Sequence, residues 1–194
     1  CDGVTDDGAD GCVESVSLNV IGNEYTAFKY EASKAYTTPC ASANVMPWTN
    51  ISFANARRAC LMLNAYPESG CDYDDPSGNP ASCWDLCDTS QWFHVCAYGQ
   101  PGDSAPHYYP YGNTFGPLTC NGKDYQSVAA LIESGEAANC VASHDDGDVF
   151  DLSGNAQEWT LGNRDDLRII RGGSFKDVAG SLTCQNDFFA AAQT

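Results

Sequence analysis

Asp148-Val-Phe-Asp-Leu-Ser-Gly-Asn-Ala-Gln-Glu-Trp-Thr160, with its companion Arg171-Gly-Gly-Ser-Phe175, is the stretch on which the reading of this chain turns. It packs small residues, an amide, carboxylates and a tryptophan into one short segment. Asn155 and Glu158 offer hard oxygen ligands three residues apart, and Gly154 permits a turn that a side chain would obstruct. Such a loop can wrap an oxygen-preferring cation with Trp159 turned into a core. A polar turn ahead of a buried tryptophan explains the same residues, and this segment alone does not choose between the two.

The full 194-residue sequence sets the bounds. Its length suits one substantial domain, and four tryptophans, ten tyrosines and eight phenylalanines can fill an interior. Nine basic against 26 acidic residues give a formal charge of −17. Phosphate binding needs clustered Lys and Arg, so no nucleic-acid partner is expected. The acidity fits an exterior that attracts calcium, or one that serves solubility alone. No run approaches the length of a transmembrane segment.

Eleven cysteines point to disulfides in an oxidising compartment, hence to an extracellular or cell-surface location, because no zinc-type Cys-x-x-Cys spacing occurs. A chain beginning at Cys1 also admits lipoprotein anchoring through that residue, as a minor alternative. Residues 1–14 read as an acidic, glycine-rich loop or linker. Cys1 and Cys12 can close it, and Asp2, Asp6, Asp7 and Asp10 can bind calcium, although their spacing fails the EF-hand pattern. Segments of this type join domains in extracellular proteins, so the chain reads as a piece of a longer one.

Val16, Leu18 and Val20 alternate with polar residues, and Gly22-Asn23 supplies a turn into a second strand ending near Tyr30. Residues 34–51 read as loop. Ser52 caps a helix over Phe53–Asn64 that turns Cys60 inward. Residues 65–86 form an insertion-like loop stapled by Cys71 and Cys83. Asp88-Thr-Ser-Gln91 has the form of a capping box for a helix over Thr89–Ala97. A short helix is expected over Ser127–Glu133, inside a loop clipped by Cys120 and Cys140. Gly162-Asn163 reads as a turn before a strand over Leu167–Arg171. Asn50-Ile-Ser52 fits a glycosylation acceptor.

A further set of segments occurs in a telling order: Tyr30-Glu-Ala-Ser33, Pro47-Trp48-Thr49, Gln91-Trp92, Val95-Cys96-Ala97, Tyr109-Pro-Tyr-Gly-Asn113, Cys120-Asn121-Gly122, then the two stretches quoted at the outset. Over residues 16–194 this order resembles the formylglycine-generating enzyme (sulfatase-modifying factor) domain. The resemblance implies an α+β domain over residues 15–194 with a variant C-type-lectin-like fold, low in regular structure and braced by disulfides and calcium. It assigns calcium to side-chain oxygens of Asn155 and Glu158 and backbone carbonyls of Ser153, Gly154 and Ala156. A second, looser calcium site would involve Asn121 and Gly122, completed around Ala142 to His144. It also implies a Cys96–Cys184 disulfide. The family partner of Cys60 lies in a terminal stretch beyond Thr194, so Cys60 is expected to be unpaired or paired outside this chain, with the domain incomplete at its C-terminus. Cys40 and Cys87 are then left to each other.

The family chemistry does not carry over. The enzyme oxidises a substrate cysteine with oxygen at copper held by two cysteines after the Gly-Gly-Ser motif. Here those positions fall on residues such as Asp177 and Ala179, neither a soft thiolate suited to copper(I), so a copper cofactor is not expected. A sulfoxide-synthesising branch of the fold uses histidine-bound iron. His94, His107 and His144 are the only histidines, and surface or packing roles suit them better. The expected function is a non-catalytic extracellular binding or structural module, with a protein or glycan ligand or self-association in a surface or filament assembly. The alternative is a divergent metal-dependent oxidase.

Overall fold

The computed structural model describes residues 13–35, 38–64, 70–72, 76–79 and 83–192. The expected Cys1–Cys12 loop and the aspartates at 2, 6, 7 and 10 lie outside them. The chain is mixed α+β, with short antiparallel strand pairs around two nine-residue helices.

Strands β1 (Ser15–Val20) and β2 (Asn23–Phe28) form the first hairpin, pairing Ser15 with Phe28 and Val20 with Asn23. The alternation works as read: Leu18 and Val20 are buried while Ser17 and Asn19 are exposed. The turn falls on Ile21-Gly22, one residue earlier than expected, with both residues in the left-handed region. Within the stretch expected to be loop, β3 (Ser33–Ala35) pairs with β4 (Thr38–Cys40).

Helix α1 spans Phe53–Leu61, with the Ser52 hydroxyl accepting from the Asn55 N–H. It stops three residues short of the expected end, because Asn64 turns its side-chain amide onto the carbonyls of Leu61 and Trp84. Helix α2 spans Thr89–Ala97. Its capping box is complete: Asp88 Oδ1 accepts from the N–H groups of Ser90 and Gln91, and Gln91 Oε1 accepts from the Asp88 N–H. Trp92, Val95, Cys96 and Ala97 of α2 pack with Leu18 and Val20 of β1 and with Ala142, Val149, Leu152 and Cys184, which together make the main core.

The expected helix over Ser127–Glu133 does not form. Its backbone groups go to distant partners instead: the Ala130 carbonyl accepts from Asn121, and both backbone groups of Ile132 bond to Asn155. Strands β5 (Val141–His144) and β6 (Gly147–Phe150) form a hairpin across Asp145-Asp146. The last sheet has the order β7 (Glu158–Arg164), β8 (Leu167–Arg171), β9 (Phe188–Ala191). Gly162-Asn163 is not its turn. That turn lies at Asp165-Asp166, and β7 instead bulges between Trp159 and Asn163. The bulge lets the Leu161 N–H reach the Cys87 carbonyl, and Gly162 lies so close to Thr89 that a side chain would collide with it.

Disulfides join Cys71–Cys83, Cys96–Cys184 and Cys120–Cys140. The Cys96–Cys184 bridge ties α2 to the segment ahead of β9, across 88 residues. Two expectations are corrected. Cys60 is disulfide-bonded within the chain, and so is Cys40, whereas Cys87 is a half-buried thiol, so the Cys40–Cys87 pair does not form. Inward-facing Cys60 on α1 therefore needs no partner from outside. Among the described residues no helix is long and apolar enough to cross a membrane.

Candidate functional site

The loop between β6 and β7 is built around Asn155. Gly154 and Asn155 are both left-handed, with φ of 83° and 54°. A Cβ on Gly154 would run into the Asn121 carbonyl, so the sequence must have glycine there. The turn drives Asn155 into the interior, where it is 1% exposed. Its Oδ1 accepts from Asn121 Nδ2 at 2.9 Å and from the Ile132 N–H at 3.0 Å. Its Nδ2 donates to Glu31 Oε2 at 2.5 Å and to the Ile132 carbonyl at 3.1 Å. One amide thus uses its full bonding capacity and ties together three separate stretches of chain.

Glu31 is the partner that the sequence reading missed. Its Oε1 accepts from the Ala156 N–H at 2.8 Å, and its Oε2 also takes the Ser134 hydroxyl at 3.4 Å. Burial pushes its carboxyl well above the usual range. The nearby charges of Asp151 and Glu158 add to the rise, while the bonds from Ala156 and Asn155 oppose it. Asp151 is 1% exposed and is raised to about 6 by burial, against the pull of its 2.6 Å bond from the Gly135 N–H; its Oδ1 has no hydrogen-bond partner. Glu158, at the start of β7, accepts from the Trp92 indole N–H at 2.6 Å, and burial raises it to about 7. Only the order of segments quoted above, in which Tyr30-Glu-Ala-Ser33 comes first, hinted that Glu31 belonged with this loop.

These contacts test the expected calcium ligands. A calcium ion takes about six to eight oxygens turned toward it. Here the Asn155 oxygen faces two N–H donors, and Glu158 Oε2 faces the Trp92 indole. Ser153 is buried and directs its hydroxyl to the Leu182 carbonyl, while the Gly154 N–H donates to the Gly172 carbonyl and the Ala156 N–H to Glu31. In this arrangement the side-chain oxygens of Asn155 and Glu158 accept N–H donors, and the amide and carboxylate brace the loop. The second expected site involves Asn121 and Gly122. Asn121 is buried and donates to Ala130 and Asn155, though its Oδ1 has no hydrogen-bond partner. Gly122 packs on Leu182. Ala142 packs on Gly99, and His144 bonds through Nε2 to the Val95 carbonyl, so both are occupied elsewhere. Among the described residues no group of three or more His, Cys, Asp or Glu is placed to hold a metal ion.

After Gly172-Gly173-Ser174 the chain makes a tight polar turn. Asp177 Oδ2 accepts from the Ser174 N–H at 2.8 Å and from its hydroxyl at 2.7 Å. The Asp177 carbonyl receives the Lys123 N–H, and the Ala179 carbonyl receives the Tyr109 hydroxyl. Arg171 donates to the Cys184 carbonyl, pairs with Asp187 at 2.9 Å, and lies over the Trp92 ring at 5.8 Å. The Gly-Gly-Ser segment is thereby locked to the same tryptophan that holds Glu158. Of the other histidines, Nδ1 of His94 is 2.9 Å from the Tyr25 hydroxyl, and His107 lies 3.4 Å from Asp103.

The fold and loop so defined are those of a disulfide-braced α+β protein with a buried polar hub. No family model matches the sequence, and no curated protein matches it. Among solved structures the chain is similar to Treponema denticola variable protein 1, with a TM-score of 0.54 and 15% identity over 94% of this chain and 87% of that one. At that identity the likeness concerns the fold alone.

Proposed function

We propose that this chain is a non-catalytic extracellular or cell-surface module, binding or structural in role, on a scaffold of the formylglycine-generating enzyme type, a variant of the C-type lectin fold. The observation that carries the reading is the turn after Gly173. Where that chemistry would need two thiolates, the chain has Asp177, its carboxylate committed to Ser174, and Ala179, whose carbonyl receives Tyr109. The side chains that would bind copper(I) are not of the type it prefers.

The rest of the molecule supports a rigid platform. Disulfides fit an oxidising compartment, and the hub around Asn155 ties distant loops together. On such a platform the variable work falls to surface loops, and fold alone does not name the ligand. Tyr108 and Leu118 stand exposed beside the turn-rich 107–119 segment, which suits contact with a protein or glycan, or with another copy in a surface assembly. The test is display of the purified protein to glycan and extracellular-protein arrays. Saturable binding lost on Tyr108→Ala would support the reading. Binding only through nonspecific electrostatic attraction to cationic surfaces, abolished by moderate salt, would count against it.

A further inference from the structure

A cavity of about 180 Å³ lies between β2, the segment before α1, both helices and the start of β7. Its lining residues include Phe28, Tyr30, Trp48, Phe150 and Trp159. They are held from behind: the Trp159 indole N–H donates to the Ile51 carbonyl at 2.9 Å, and Tyr30 stacks on Phe150 with ring centres 5.1 Å apart. Two carboxylates, Glu31 and Glu158, also line it, while among the described residues no lysine, arginine or histidine does. Among the described residues Glu31 receives three hydrogen bonds, whereas Glu158 receives one, from Trp92. A carboxylate in an apolar, aromatic enclosure is costly to keep charged without a cation nearby.

The surrounding rings already attract ammonium groups. Lys29 Nζ lies 5.6 Å from the centre of Tyr30 and 5.9 Å from that of Phe150, and Lys34 Nζ lies 5.3 Å from Trp48. Ring faces with a carboxylate behind them are the arrangement by which proteins select alkylated ammonium ions. An apolar cavity of about 150 Å³ holds one benzene, so this one accommodates a trimethylammonium group. We infer that the cavity binds an organic cation of the quaternary-ammonium class, its charge met by Glu158 and its methyl groups by the rings of Trp48 and Trp159. This site is separate from the surface-loop binding proposed above and does not depend on it.

The experiment is calorimetric titration at pH 8 with choline and with its uncharged isostere, 3,3-dimethylbutan-1-ol. Choline is expected to bind about tenfold more tightly than the isostere. Glu158→Gln is expected to remove most of that preference. Trp48→Leu, at a partly exposed position, is expected to weaken choline about tenfold if the ring face is used. Phosphatidylcholine vesicles form a second arm: capture of vesicles alongside choline binding assigns the cation to a lipid head group, and choline binding without capture assigns it to a free solute. Equal affinity for choline and the isostere, no choline binding, or choline binding unchanged in both variants would overturn the inference.

Discussion

Glu31 and Asn155 meet at 2.5 Å although 124 residues separate them, and their bond fastens the beginning of the domain to the loop that precedes β7. Around it the Ile132 backbone, Asn121 and Ala156 all find their partners. The hub is therefore a point where three stretches with no local reason to associate are obliged to do so.

Asn155→Ala removes four hydrogen bonds and leaves the Glu31 carboxylate short of a donor. Buried networks broken on one side cost on the order of 3 kcal/mol or more. Urea unfolding should show that loss. Asn155→Asp keeps the acceptor but sets a second carboxylate against Glu31, so its penalty should be larger at pH 8 than at pH 5.

Glu158 rises from 4.5 to about 7 and Asp151 from 3.8 to about 6, both chiefly through burial. A carboxyl with a folded value above its unfolded one binds its proton more tightly when folded. Its contribution is complete below the unfolded value and is lost as pH rises through the folded one. The protein should therefore be more stable near pH 5 than near pH 8, with most of the change between about 4.5 and 7 and on the order of 3 kcal/mol from Glu158 alone. Glu158→Gln should flatten that slope in melting curves recorded across the range. A wild-type melting temperature that climbs from pH 5 to pH 8 would refute the assignment.

The fold was legible where local pattern and tertiary need agree. Leu18 and Val20 alternate into the core, and the Asp88–Gln91 capping box starts α2 where its residues say it should. The 127–133 segment misled because its helical propensity loses to tertiary bonds from Asn121 and Asn155. The β7 bulge hid behind Gly162, which reads as a turn residue but is small because Thr89 presses on it. The loop at 153–158 was legible as a centre of organisation, yet its polarity was not: Asn155 and Glu158 are as suited to accepting N–H donors as to holding a cation. Glu31 carries no local sign that it ends up buried against a residue so far along the chain.

If the hub is held by hydrogen bonds, chelation should change little. The melting temperature in excess EDTA is expected to match that in millimolar calcium. A drop of several degrees on chelation would support calcium at Asn155 and Glu158.

The Cys96–Cys184 bridge closes 88 residues of chain, and loop-closure entropy for a ring of that size is worth roughly 4–5 kcal/mol. The paired substitution Cys96→Ala with Cys184→Ala should lower unfolding stability by most of that amount, measured by denaturant titration. Both sulfurs are fully buried, so a small cavity adds to the cost.

The most direct test of the central claim is oxygen uptake with copper and a cysteine-containing peptide substrate. On the proposed reading, the turn at Ser174–Ala179 supplies a carboxylate and a methyl group where the oxidase would need thiolates, so uptake should equal that of copper and peptide without protein. Sustained, protein-dependent oxygen consumption with conversion of the peptide cysteine to formylglycine would contradict the account.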